Sequence, residues 1–149
     1  MLGDELVKRY YFRVMLALVI MLSVVPGCVQ KGPLNSSGDP RSKDITSEEA
    51  FNLIQENEGN ADFIILDVRT ASEFADGHIA GALNIDVNLP SFREEIERLD
   101  TSDTYLVYCR TGNRSRKALA IMGELGFTRI YHLENGFTEW TNSGLPMVP

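Results

Sequence analysis

The chain has 149 residues, 14 Lys+Arg against 21 Asp+Glu, a formal net charge of −7, two cysteines and one tryptophan. With 44% hydrophobic and 23% charged residues it has the composition of one folded domain, which excludes a wholly disordered or fibrous chain. The negative balance argues against nucleic acid as a partner, and two cysteines cannot by themselves build a disulfide-stapled scaffold or a four-ligand zinc site.

In chain order, Lys8, Arg9 and Arg13 form a basic flank ahead of an apolar run over residues 14–25, broken only by Ser23. The run is too short for the roughly 20 residues of a membrane-spanning helix but suits the apolar core of a secretory signal. Val25-Pro26-Gly27-Cys28 resembles the cleavage box of bacterial lipoprotein signals. That resemblance implies a signal peptide over 1–27, lipid attachment at Cys28 and an extracytoplasmic protein anchored to the cell membrane. The alternative is an uncleaved N-terminal membrane anchor. Residues 28–44 are polar and rich in Gly, Pro and Ser, the composition of a flexible tether, which puts the folded domain at 45–149.

Within the domain, Thr46 and Glu49 form a capping-box pattern that predicts a helix over 47–57. The apolar run Phe63-Ile64-Ile65-Leu66 predicts a strand buried on both faces. A short helix is expected near 71–75 and a small strand over 82–85. Ser91 opens an amphipathic helix with Phe92, Ile96 and Leu99 on its apolar side, while Glu94, Glu95 and Glu97 form a solvated face. Residues 104–108 form a second strong strand, 115–125 a helix stopped by Gly126, 129–132 a last strand and 136–142 a last helix around Trp140. This alternation predicts an α/β sandwich: a mostly parallel sheet flanked by helices.

Cys109 directly follows a buried strand, where open α/β sheets place their ligands. Arg110-Thr111-Gly112-Asn113-Arg114 leads from it towards a helix. Gly112 permits a positive φ, so such a loop turns backbone N–H groups inward at the positive end of a helix dipole. With the charges of Arg110 and Arg114 alongside, this setting should favour a nucleophilic thiolate and hold an anionic substrate or a sulfur carried on the cysteine. The competing reading is a buried cysteine acting as a small hydrophobe.

The segment 66–85, from Leu66-Asp67-Val68-Arg69 to Gly81-Ala82-Leu83-Asn84-Ile85, resembles the first signature of the rhodanese family. Tyr108-Cys109-Arg110-Thr111-Gly112-Asn113-Arg114-Ser115 resembles its active-site loop, and Asn135-Gly136-Phe137-Thr138-Glu139-Trp140 its C-terminal signature. The pattern often has a second glycine at Asn135, a departure expected to affect only the local turn. The resemblance implies a rhodanese-like three-layer sandwich and a sulfurtransferase. Cys109 would take the outer sulfur of thiosulfate or another sulfane donor as a persulfide and yield it to cyanide or a thiol. It further implies that Arg110, Thr111, Gly112, Asn113, Arg114 and Ser115 bind the donor anion and the persulfide, with no cofactor.

Two other classes compete. A phosphatase-like enzyme also sets a cysteine and an arginine on an anion cradle, but its loop places five residues between them, and here four separate Cys109 from Arg114. A non-enzymatic sulfur carrier or protein-binding module, with a protein as acceptor, uses the same residues without turnover. A thiol-disulfide oxidoreductase lacks a resolving cysteine near Cys109. Asp67 and Arg69 are expected to support the site from behind or simply to stabilise the fold, Arg69 forming an i,i+4 ion pair with Glu73. His78 reads as a hydrogen-bonded framework residue and Trp140 with Phe137 as a lid on the core. His132, with no acidic or cysteine neighbour at metal-ligand spacing, leads to the expectation of no metal.

Overall fold

The structure is a computed structural model and describes residues 42–149. The expected signal peptide, the expected lipid site at Cys28 and the expected tether up to residue 41 lie outside the described residues. Ten elements follow in order: β1 (Ser42–Ile45), α1 (Ser47–Glu56), β2 (Phe63–Asp67), α2 (Ala71–Ala75), β3 (Leu83–Asn84), α3 (Phe92–Ile96), β4 (Thr104–Tyr108), α4 (Asn113–Glu124), β5 (Ile130–Leu133) and α5 (Gly136–Asn142).

The five strands form one sheet in the order β1-β5-β4-β2-β3, with every pairing parallel. Parallel strands need crossover connections, and the helices in those connections cover both faces of the sheet. Because strand side chains alternate, each central strand feeds two cores. Tyr105, Val107 and Cys109 pack with Phe92, Ile96, Ala118, Leu119 and Met122 on the α3–α4 side. Leu106 and Tyr108 pack with Ala50, Leu133, Phe137 and Trp140 on the α1–α5 side. The expected three-layer α/β sandwich is the observed architecture.

Local signals worked where they were strong. The capping box at the start of α1 is made in both directions, with the Glu49 amide donating to Thr46 Oγ1 and the Thr46 amide to the Glu49 carboxylate. His78 Nδ1 lies 3.0 Å from the Phe74 carbonyl oxygen, and Trp140 is buried with its Nε1–H donating to Pro146 O. Among the described residues no helix is long and apolar enough to cross a membrane.

Two of the boundaries that differ from the sequence expectation bear on the site. The folded domain does not start at 45: residues 42–44 belong to β1, paired with β5 in the register Ser42↔Ile130 to Ile45↔Leu133. Ser42-Lys43-Asp44 looks like tether because Ser42 and Asp44, on one face, are polar, and Ile45 on the other is the strand's single apolar residue. Helix α4 begins at Asn113 rather than 115. Gly112, at φ +88°, turns the chain into the helix with no side-chain cap, so Asn113 and Arg114 are helical residues and not loop.

Candidate active site

Cys109 stands one residue beyond the carboxyl end of β4 and is 1% exposed. Alternation along the strand directs its side chain to the α4 face, with Val107 and Tyr105. The loop that follows is fixed by hydrogen bonds to its carbonyls. Cys109 O accepts from the Phe137 amide at 2.8 Å, Arg110 O from the Thr138 amide at 3.0 Å and Gly112 O from the Arg116 amide at 3.2 Å. With these carbonyls engaged and no side chain capping α4, the amides of residues 113–115 have no intrahelical acceptor and form the positive end of the helix.

Two glycines permit this packing. A Cβ on Gly112 would overlap the carbonyl oxygen of Glu134, and one on Gly136 would lie 2.5 Å from Cys109 O. The loop after β4 and the turn into α5 therefore meet backbone to backbone. Asn135 has φ −98°, a conformation that requires no glycine, so its departure from the family pattern has no consequence for the turn.

The cations expected to face the anion differ in availability. Arg110 is exposed, as are Thr111 and Asn113, while Gly112 and Ser115 are buried. Arg114 is committed to Glu73: its Nη1 and Nη2 donate to the two carboxylate oxygens at 2.6 and 2.7 Å. The hydrogen bond from Arg114 outweighs burial and holds the Glu73 carboxyl down at about 2, and Arg114 is raised above its ordinary value by the same bond. A cation at a helix amino end opposes the dipole, and Glu73 offsets that. The Arg114 charge is thus already paired before any anion arrives.

The expected Arg69–Glu73 pair is absent. Arg69 precedes α2, so helical i,i+4 spacing does not apply to it. Instead its Nε and Nη2 donate to Asp67 at 2.6–3.0 Å, and Nη2 also reaches Gly77 O at 2.7 Å. Both side chains are buried. Burial works against the Arg69 charge, but the Asp67 carboxylate overcomes it and raises its pKa. The guanidinium lies 4.2 Å over the Phe137 ring and 5.6 Å from the Tyr108 ring centre. Arg69, Glu73, Arg110, Phe137, Thr138 and Thr141 line an open cleft beside the loop.

One residue given no functional part by its sequence context is joined to the cysteine. His132 is fully buried, and its Nδ1 lies 2.7 Å from Asp44 Oδ1, 88 residues away in sequence. Its Nε2 lies 2.7 Å from Ser115 Oγ, which in turn is 3.4 Å from Cys109 Sγ. Burial lowers the His132 pKa against the opposing pull of Asp44. The expectation that His132 has no acidic neighbour held only for sequence spacing. The parallel register sets Asp44 directly beside it, and that could not be seen without β1. Among the described residues, no group of three or more His, Cys, Asp or Glu could hold a metal ion.

A sequence profile of the rhodanese-like domain matches residues 47–143. A sulfurtransferase of Allochromatium vinosum is 31% identical over 105 residues, covering 70% of this chain and 94% of that protein. The chloroplastic thiosulfate sulfurtransferase 16 of Arabidopsis thaliana is 35% identical over 91 residues, covering 54% of this chain and 76% of that protein. The crystal structure of a rhodanese-related protein from Thermoplasma volcanium superimposes with a TM-score of 0.59 at 31% identity, covering 70% of this chain and 96% of that one.

Proposed function

The chain belongs to the rhodanese-like domain family, and on that premise we propose that it transfers sulfane sulfur through a persulfide on Cys109. The observation that carries this reading is the position of Cys109: buried at the end of β4, on the same face as α4, with the loop carbonyls turned to other partners. A terminal sulfur on Cys109 would meet backbone amides and a helix dipole, the environment that stabilises an anion without a metal. The donor is a small sulfane anion such as thiosulfate, drawn by Arg110, the exposed cation of the loop. The acceptor is a thiol or a cyanide-like nucleophile, including a thiol on another protein.

A phosphatase-like reading is weaker. Its loop needs five residues between cysteine and arginine, and here four separate Cys109 from Arg114, with Ser115 six residues after Cys109. A carrier that loads one sulfur and does not turn over shares all of this geometry and is distinguished by kinetics.

We also propose that residues 1–27 are removed and that lipid on Cys28 holds the domain at the outer side of a cell membrane. Support comes from the basic flank, the apolar run and the Val25–Cys28 pattern. An inhibitor of lipoprotein signal peptidase should make full-length precursor accumulate in expressing cells, and an unchanged band pattern would refute it.

The decisive experiment on the chemistry is intact-mass analysis of the full-length chain treated with thiosulfate. A gain of one sulfur atom, removed by cyanide and missing in Cys109→Ser, is expected. Absence of any adduct on protein whose Cys109 still alkylates would overturn the sulfurtransferase reading. Continued production of thiocyanate under excess donor and cyanide separates an enzyme from a carrier.

A further inference from the structure

We propose that Ser115, His132 and Asp44 form a proton relay for Cys109, in which Ser115 passes the thiol proton to His132 and Asp44 steadies the resulting imidazolium. Its use in turnover rests on the sulfurtransferase reading, but its geometry does not depend on any donor.

The four side chains come from four places in the fold: Asp44 on β1, His132 on β5, Ser115 on α4 and Cys109 after β4. Alternation explains why they meet. Asp44 and His132 are register partners on adjacent parallel strands, and Val107 is the partner of His132 on the next strand. Cys109, two residues beyond Val107, points to the same face, and α4 lowers Ser115 onto it. Ser115 and His132 are fully buried, and the Asp44 side chain is 9% exposed, so the line runs from a sealed sulfur to the margin of the solvent.

The hydroxyl of Ser115 has one proton and three neighbours: Gly112 O at 2.8 Å, His132 Nε2 at 2.7 Å and Cys109 Sγ at 3.4 Å. A carboxylate at Nδ1 requires that nitrogen to carry a proton. Burial disfavours the His132 imidazolium, and with His132 neutral Nε2 presents a lone pair to which the Ser115 proton can turn from Gly112 O or Sγ. The oxygen of Ser115 then faces the thiol as an acceptor. Moving one proton along the line gives a second complete arrangement: His132 donates to Ser115, and Ser115 donates to a thiolate. A purely structural network has no need of two arrangements that differ by one proton.

The groups facing His132 are Asp44 from β1, Cys109 after β4, and Ser115 and Arg116 from α4, together with the Gly112 carbonyl. Burial and Arg116 disfavour the imidazolium and Asp44 favours it, and in the relay His132 takes the proton as Cys109 attacks. In the donor half-reaction, the Sγ–S bond forms and the S–S bond of thiosulfate breaks. Its electron pair leaves on sulfite and the thiol proton rests on His132. When an acceptor nucleophile takes the outer sulfur, the electron pair returns to Sγ, and the proton returns through Ser115. Charge balances in both steps, and no outside oxidant or reductant enters. Ser115 touches the reacting sulfur, whereas His132 and Asp44 act through it.

The test is the rate at which iodoacetamide alkylates Cys109 in the full-length chain from pH 5 to 10, without donor, followed on the Cys109-containing peptide by mass spectrometry. Asparagine at position 132 keeps hydrogen bonding but cannot take a proton. His132→Asn and Ser115→Ala should each move the midpoint of the profile up by about one unit and slow alkylation at pH 7 about tenfold. Asp44→Asn should do so severalfold, and added imidazole should restore part of the rate to His132→Ala. Should the His132 variants not fold, Asp44→Asn, which leaves the contact of Ser115 with Sγ in place, decides in their stead. Folded variants with the wild-type profile would overturn the relay. Shifted profiles without a thiosulfate adduct on the wild type would leave the relay standing and remove the sulfurtransferase reading; an adduct with unshifted profiles would do the reverse.

Discussion

The carboxylate of Glu73 joins two helices that lie far apart in sequence. It receives both terminal nitrogens of Arg114 at 2.6 and 2.7 Å, and it closes the capping box of α2 with Thr70. One ion pair therefore ties the start of α2 to the first turn of α4, immediately after the Cys109 loop. The pair is about a quarter exposed, so solvent screens it, and it contributes about 1–2 kcal/mol.

Glu73 gives the first prediction its sign. Its folded value of about 2 lies below the ordinary 4.5, so its stabilisation is complete above pH 4.5 and lost as pH falls towards 2. Urea titrations across that range should show the wild type losing about 1–2 kcal/mol that Glu73→Gln, weaker by that amount at neutral pH, never had. Parallel pH curves for the two proteins would contradict it.

His132 works in the same direction over a higher range. Its folded value is lowered, so the unfolded chain binds a proton there that the native chain refuses. Stability from this residue is complete above about pH 6.5 and declines as pH falls below it. Thermal melts between pH 8 and 5 should flatten in His132→Asn.

Gly112→Ala combines a left-handed φ with a collision against the Glu134 carbonyl. A loss of about 2–4 kcal/mol in chemical denaturation is expected, together with slower alkylation of Cys109 as the loop shifts. An alanine variant of native stability would show that the loop and the β5–α5 turn can separate freely.

Arg110 offers the opposite outcome. It is exposed and makes no buried ion pair, so Arg110→Ala should change stability by no more than about 0.5 kcal/mol. Loss of its charge beside the cleft should raise KM for thiosulfate about three- to tenfold and leave kcat near the wild-type value. Steady-state kinetics at low ionic strength checks the split.

The sequence made some of this legible and hid the rest for identifiable reasons. Cys109, Gly112 and the boundary of β4 could be read because strand end, glycine and helix start are contiguous. So could α1, whose capping residues lie three apart. The partners of Arg114 and His132 could not, because they lie 41 and 88 residues away and only the fold brings them near. Strand β1 hid for a related reason: Ser42 and Asp44 are polar, and Asp44 is wanted beside a buried histidine. Arg69 misled because i,i+4 spacing has meaning only inside a helix, and α2 begins two residues later.

The hydrogen bonds from Phe137 and Thr138 to the carbonyls of Cys109 and Arg110 have one more consequence. Rotating either peptide plane would strand a carbonyl and an amide together inside a packed seam, where water cannot replace the lost bond. The Arg110 and Thr111 amides, which share these peptide planes, are therefore preset in their orientation before any ligand arrives. Empty and sulfur-loaded forms should superimpose in this loop, and selectivity must come from size and charge at the mouth, since the floor cannot adapt to its guest.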